Sequence, residues 1–189
     1  MNPDAAAFVA AARMLAEELL TELPERLRHS GFVAVRAAQL SLTVPADAEP
    51  ILIAAAWLHD IGYAEALRRT GFHPLDGADY PTGHGSPAEL AGLVAHHSGA
   101  RFVAEVRGLS TSLARYEFQE SPVTDALTYA DQTAGPDGQH ILLSDRIADV
   151  LRRHGPDSPN AEAIGRRGPY LYAAAARVEQ RLAAANRVR

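Results

Sequence analysis

The chain has 189 residues, enough for one domain, and 47% of them are hydrophobic, so a sizeable core is available. Its 18 basic and 23 acidic side chains leave a formal charge of -5, which gives no global pull toward nucleic acid or an anionic membrane. Cysteine is absent, which excludes disulfides and thiolate metal sites and fits an expected cytoplasmic location; any metal must use His, carboxylate and water.

The first segment, MNPDAAAFVAAARMLAEELL, has no basic leader and carries Asp4, Glu17 and Glu18. It reads as an amphipathic helix from Asp4, as N-cap, to Leu23 rather than as a signal peptide. Pro24 then starts a second helix that reaches about Leu42. After the turn TVPADAEP, the run ILIAAAWLHD is apolar on all sides, which predicts a buried central helix, with Gly62 near its end. The Gly- and Pro-rich stretch TGFHPLDGADYPTGHGSP predicts a short helix inside loops. SPAELAGLVAHH follows, with Ser86 as N-cap, Pro87 at the first helical position and Glu89 completing a capping box. SPVTDALTYADQTAGPDG repeats the Ser-Pro start and is stopped by Gly135 and Pro136. Helices near 141–154 and 169–187 complete the chain, joined by HGPDSPNAEAIGRRGP as a surface connection. There is no strand-like alternation and no run of about 20 apolar residues, so no membrane span is expected. The expected fold is all-α, a single-domain helical bundle over 1–189. Its terminal helices are compatible with a homo-oligomer.

The eight histidines matter through their positions. His59 and Asp60 end the apolar helix, where an imidazole and a carboxylate are costly to bury unless a cation compensates. His29 shares a helix face with Phe32, Val33 and Leu40, and Asp131 shares one with Thr124, Leu127 and Thr128. His96 and His97 end a helix after Leu90, Leu93 and Val94. Each residue alone has an ordinary structural reading as a hydrogen-bonded core group. Together they place metal-competent side chains on separate helices, which is how helix bundles build metal sites.

The ordered set His29, His59-Asp60 and Asp131, with WLHDIGY around the central pair, resembles the HD-domain metal-dependent phosphohydrolase superfamily, whose signature is H…HD…D on a helical bundle. The resemblance covers roughly 24–135, with helical extensions on either side. Many members add two histidines that hold a second metal. His73 or His84, and His96 or His97, are the candidates here; the family spacing favours His73 and His96. The implied metal set is His29, His59, Asp60, His73, His96 and Asp131, holding one or two divalent ions among Mn, Fe, Co, Mg and Zn. A water between two such cations loses a proton more readily, so the implied reaction is hydrolysis of a phosphoester or phosphoanhydride in a nucleotide or other small phosphorylated metabolite.

A phosphate substrate also needs cationic side chains, and a guanidinium can grip it in a bidentate fork. Arg101, soon after the His-His pair, is the favoured candidate, with Arg107, Arg26 and Arg28 behind it. Asp60, His73 and Arg101 are thus the residues assigned to catalysis, and Asp76 and Glu105 are candidates for orienting ligands. One departure stands out: many members read HDIGK, with the Lys near the phosphate, and Tyr63 occupies that position. An HD-type diiron oxygenase and a non-catalytic metal- or nucleotide-binding regulatory module are therefore carried as alternatives. Nucleic acid is the least favoured partner, because no basic stripe interleaved with aromatics is present.

Overall fold

The apolar run after Glu49 forms α3 (Glu49–Leu58) in the computed structural model, which describes residues 3–187. Leu52, Ile53, Ala54, Ala55, Ala56 and Leu58 are all buried, as expected for a helix that is hydrophobic all round. The three small alanines let neighbouring helices come close. α1 (Pro3–Leu19) and α2 (Pro24–Gln39) pack on α3 from one side, and α5 (Ala88–His96) and α8 (Pro122–Thr133) from the other. α4 (His73–Gly83) lies against α5, and α6 (Ala100–Val106) leads into the single turn α7 (Ser110–Leu113). The chain finishes with α9 (Leu143–His154) and the long α10 (Pro159–Arg187), which packs on α8, α6 and α9. Asp125 of α8 fastens this last helix. Its carboxylate accepts from Arg177 Nε at 2.8 Å and from Arg181 Nη2 at 2.9 Å.

The fold is an all-α, single-domain helical bundle. Among the described residues the only extended pairing is an isolated antiparallel bridge between Ala134 and His140. No described helix is long and apolar enough to cross a membrane.

Several boundaries differ from the sequence-based ones. α1 begins at Pro3 and ends at Leu19, so Asp4 lies in its first turn rather than at the cap, where its charge still suits the helix N-terminus. The two Ser-Pro starts behave differently. Ser121 caps α8, its hydroxyl accepting from the Thr124 N–H at 3.2 Å. At α5 it is Pro87 that holds the extended cap position (ψ 136°), so Ser86 lies one residue too far out and no side chain caps the helix. α4 is a full 11-residue helix despite Pro81 within it. α10 starts at Pro159, so most of the expected surface connection is helical. Pro169 has no N–H and leaves one carbonyl without its donor, yet the helix continues because Ala163, Gly168 and Leu171 are buried around it.

One backbone contact sets the geometry of everything that follows. After Asp60, the 3-10 turn Ile61–Tyr63 runs against α4. A Cβ on Gly62 would stand 2.0 Å from the His73 carbonyl oxygen and 2.5 Å from the Gly77 nitrogen. Only glycine permits that approach, and it brings Asp60 within reach of His73. Gly62→Ala is therefore expected to destabilise the chain by about 3 kcal/mol, near the upper end for overpacking. Gly83→Ala, with open space around its added Cβ, is expected to be neutral or stabilising by less than about 1 kcal/mol. Denaturant titration of the two variants checks this; equal midpoints would show that the close approach carries no weight.

Candidate metal centre

Five separate segments converge on one point. α2 supplies His29, the end of α3 supplies His59 and Asp60, the first residue of α4 is His73, the residue after α5 is His97, and α8 supplies Asp131. They form two groups that could hold a metal ion: His29, His59 and Asp131, and Asp60, His73 and His97. In the first, Asp131 Oδ1 lies 2.9 Å from His29 Nε2 and 3.8 Å from His59 Nε2. In the second, His73 Nε2 lies 3.3 Å from Asp60 Oδ1 and 3.2 Å from His97 Nε2. Asp60 Oδ1 is also 3.6 Å from His59 Nε2, so this carboxylate stands between the groups. Donors that share a cation at about 2.0–2.2 Å stand roughly 3–4 Å apart, which matches these spacings.

The protonation pattern fits a cation as well. His59 Nδ1 donates to the Ala56 carbonyl at 2.8 Å, and His97 Nδ1 to the Val94 carbonyl at 2.7 Å. A carbonyl only accepts, so each Nδ1 carries a proton and each ring turns its Nε2 inward. His59 Nε2 is buried and has no hydrogen-bond partner; what it faces is two carboxylate oxygens. A divalent ion between this nitrogen and those oxygens would be coordinated by both. A main-chain carbonyl fixing the far ring nitrogen is also how ligand histidines are oriented in metal sites.

His59, Asp60 and Asp131 are at most 5% exposed. Burial alone would raise the Asp60 carboxyl, but the surrounding imidazoles of His59, His73 and His29 and the Arg26 guanidinium outweigh it and hold the group below the ordinary carboxylate range. Asp131 is held well below that range against the same burial, by its hydrogen bond with His29 and by His59 and Arg146. Its second oxygen accepts from the Ser98 hydroxyl and from Gln132 Nε2, the latter at 2.8 Å. Burial pushes His73 well below its ordinary value, and pushes His97 down to about 4 with help from His59.

His29, Asp60, His73, His97 and Asp131 form the floor of a cavity of about 470 Å³, and His59 is buried beside them. Among the described residues its acidic lining is Asp60 and Asp131, whereas five arginines line it: Arg26, Arg107, Arg146, Arg153 and Arg167. Arg26 donates to Asp60 Oδ2 at 3.3 Å and lies 4.1 Å over the Tyr63 ring. Tyr63 in turn stacks on His73 with ring centres 4.1 Å apart. Arg146 Nη2 is 3.3 Å from both Asp131 Oδ1 and His29 Nε2.

Five of the six metal candidates read from the sequence, His29, His59, Asp60, His73 and Asp131, are brought together. His96 is not; its neighbour His97 takes the place. His96 is the last residue of α5, and its Nε2 donates to the Tyr116 carbonyl at 2.9 Å on the other side of the helix. His97 follows the helix with extended backbone (ψ 148°), and its ring is held by the Val94 carbonyl with Nε2 toward His73. His84 stacks on Tyr80, away from the site. Arg101 does not line the cavity either. Ala100 and Val103 present that face of α6, and Arg101, about 100° further round, sits among Phe102, Phe118 and Tyr170 at 4.0–4.9 Å. Arg28 is exposed on α2. Asp76 accepts from the Thr70 and Gly71 N–H groups, each at 2.9 Å, and so pins the loop before His73 rather than a ligand ring. Glu105 pairs with Arg166. Ser98, Gln132, Arg146 and Arg167 were not foreseen. Ser98 and Gln132 each adjoin a candidate ligand in the sequence, a signal that could have found them.

Comparison with family models, with curated proteins and with solved structures finds no match to this chain. The site therefore stands on its own geometry.

The folded chain keeps His73 and His97 neutral at pH values where the unfolded chain, with imidazoles near 6.5, protonates them. The unfolded state then binds more protons between pH 6.5 and about 4, so stability falls as pH falls through that window. Thermal melts of chelator-treated protein should show a drop of several degrees between about pH 7 and about pH 5, smaller in His97→Gln. A flat profile in the wild type over that range would contradict the assigned protonation.

Proposed function

We propose that the chain is a metal-dependent hydrolase of phosphoester or phosphoanhydride bonds in a small phosphorylated metabolite, working as the HD-type proteins it resembles do. The observation that carries this reading is the pairing of two His/Asp groups on a cavity floor with five arginines in the cavity lining. His29, His59 and Asp131 would hold one divalent ion, Asp60, His73 and His97 the other, with Asp60 between them. Bound there, such ions lower the pKa of a water and screen phosphate oxygens. The chain's own part is positional. The His59 and His97 rings are oriented by their carbonyl bonds, and the two carboxylates stay ionised. Arg26 and Arg146 bring guanidinium groups to the rim of the floor, where they can grip phosphate oxygens in fixed forks. Arg26 also supplies, from α2, the positive charge that Tyr63 cannot. Iron in the purified protein without phosphate release would favour an HD-type diiron oxygenase, and metal or nucleotide binding without turnover a regulatory module.

Metal analysis of purified protein, with a phosphate-release assay in Mn or Co, tests this. His59→Ala, Asp60→Asn and His97→Ala are each expected to lose bound metal and to lower the rate by about 100-fold or more. His96→Ala is expected to keep its metal and lose only about 1–2 kcal/mol of stability, since it removes a buried donor from the Tyr116 carbonyl. Full metal content and rate in His97→Ala would sink the proposed ligand set.

A further inference from the structure

The cavity extends past the His/Asp floor to a wall that the sequence resemblance does not reach. α9 contributes Arg146, Arg153 and His154, and α10 contributes Asn160 and Arg167. None of the α9 residues is fully buried, so this helix is held by one face, and that face lines the cavity.

Two of the five lining arginines have no ion pair among the described residues, the exposed Arg107, which donates to the Gly71 and Thr70 carbonyls, and Arg167. Arg26 pairs with Asp60, Arg146 with Asp131, and Arg153 with Asp149. Arg167 is partly buried, yet among the described residues its bonds go to neutral acceptors. Its Nε donates to the Ser98 carbonyl at 2.8 Å and its Nη1 to Asn160 Oδ1 at 3.0 Å. Those two bonds fix the plane of the guanidinium without neutralising it. Ser98 also donates to Asp131, which Arg146 contacts, so the Ser98–Asp131 bond links the two arginines. Burial lowers the Arg167 pKa, and the charge of Arg146 adds to that effect, with Asp131 acting against both. A guanidinium cannot escape by losing its proton. A desolvated, oriented and unpaired cation beside a second one is stabilised by an anion with several acceptor oxygens, and a phosphate presents these in the geometry of the guanidinium fork.

We propose that Arg167, oriented by Ser98 and Asn160 and flanked by Arg146, is an anion subsite that takes a phosphate group of the substrate other than the one attacked. The substrate then carries at least two phosphates. A cavity of about 470 Å³ suits a ligand of that size better than a lone phosphate. The subsite itself stands on the arginine geometry; that its occupant is part of the substrate rests on the hydrolase reading above.

The two layers separate experimentally. Inorganic phosphate is titrated calorimetrically into the chelator-treated full chain. Binding is expected in the wild type, weakened by about tenfold or more in Arg167→Gln, by less in Arg167→Lys, and unchanged in His59→Ala. No phosphate binding by the wild type at millimolar concentration, or equal binding by Arg167→Gln, overturns the subsite whatever the metal content. In the Mn-loaded chain, Arg167→Gln is expected to lower kcat/KM for inorganic pyrophosphate by about tenfold while leaving that for p-nitrophenyl phosphate within about twofold. An equal loss on both substrates overturns the two-phosphate assignment. If phosphate binding follows Arg167 but His59→Ala keeps full metal content, the subsite stands and the hydrolase reading fails.

Discussion

Two carboxylates buried close together in an apolar bundle are the constraint on which this structure turns. Asp60 and Asp131 are each nearly sealed from solvent, and each is ionised. Such groups survive only where nearby positive charge and hydrogen bonds replace water. The surroundings supply both. Ser98 and Gln132 bond one side of Asp131, Arg146 and His29 the other, and Arg26 reaches Asp60 from α2. What remains is a cluster of imidazole nitrogens and carboxylate oxygens at the spacing of ligands around a cation, with His59 Nε2 left without a hydrogen-bond partner.

The fold serves this point of convergence. α3 is buried on all sides, so its C-terminal His59 and Asp60 emerge inside the bundle rather than on its surface. Gly62 lets the next turn press against α4, which fixes the distance from Asp60 to His73. The end of α5 turns at His97, and the left-handed pair Ser98 (φ 52°) and Gly99 (φ 68°) then redirects the chain into α6 while Ser98 meets Asp131. α10 returns across α8, held by the buried Asp125, and brings Arg167 back to the cavity opened by residues far earlier in the chain.

Much of this was legible in the sequence, for identifiable reasons. The helical class and the central position of α3 follow from periodicity and from an all-round apolar run. His29, His59, Asp60 and Asp131 could be named because each lies on, or at the end of, a helix whose inner face the pattern reveals, whereas His73 was named from the spacing of the family the chain resembles. The choice between His96 and His97 could not be made that way. They are adjacent at a helix end, and what separates them is a partner for His96, the Tyr116 carbonyl, twenty residues away in the chain. The cationic wall was missed for a related reason. Arg101 was favoured for its closeness in sequence to the His-His pair, but α6 turns it into an aromatic cluster. Arg146 and Arg167 reach the site only through the packing of α9 and α10, which no local pattern encodes. The Ser-Pro starts teach the same lesson at smaller scale: identical dipeptides place Ser121 at a cap and Ser86 outside one.

The most direct test of the metal centre is anomalous diffraction from a crystal of the Mn-loaded protein. Two peaks are expected, one among His29 Nε2, His59 Nε2 and Asp131, the other among Asp60, His73 Nε2 and His97 Nε2, each about 2.0–2.3 Å from its ligands. Fully occupied Mn elsewhere on the chain with no peak at His59 Nε2, or a peak at His96 in place of His97, would contradict the site described here.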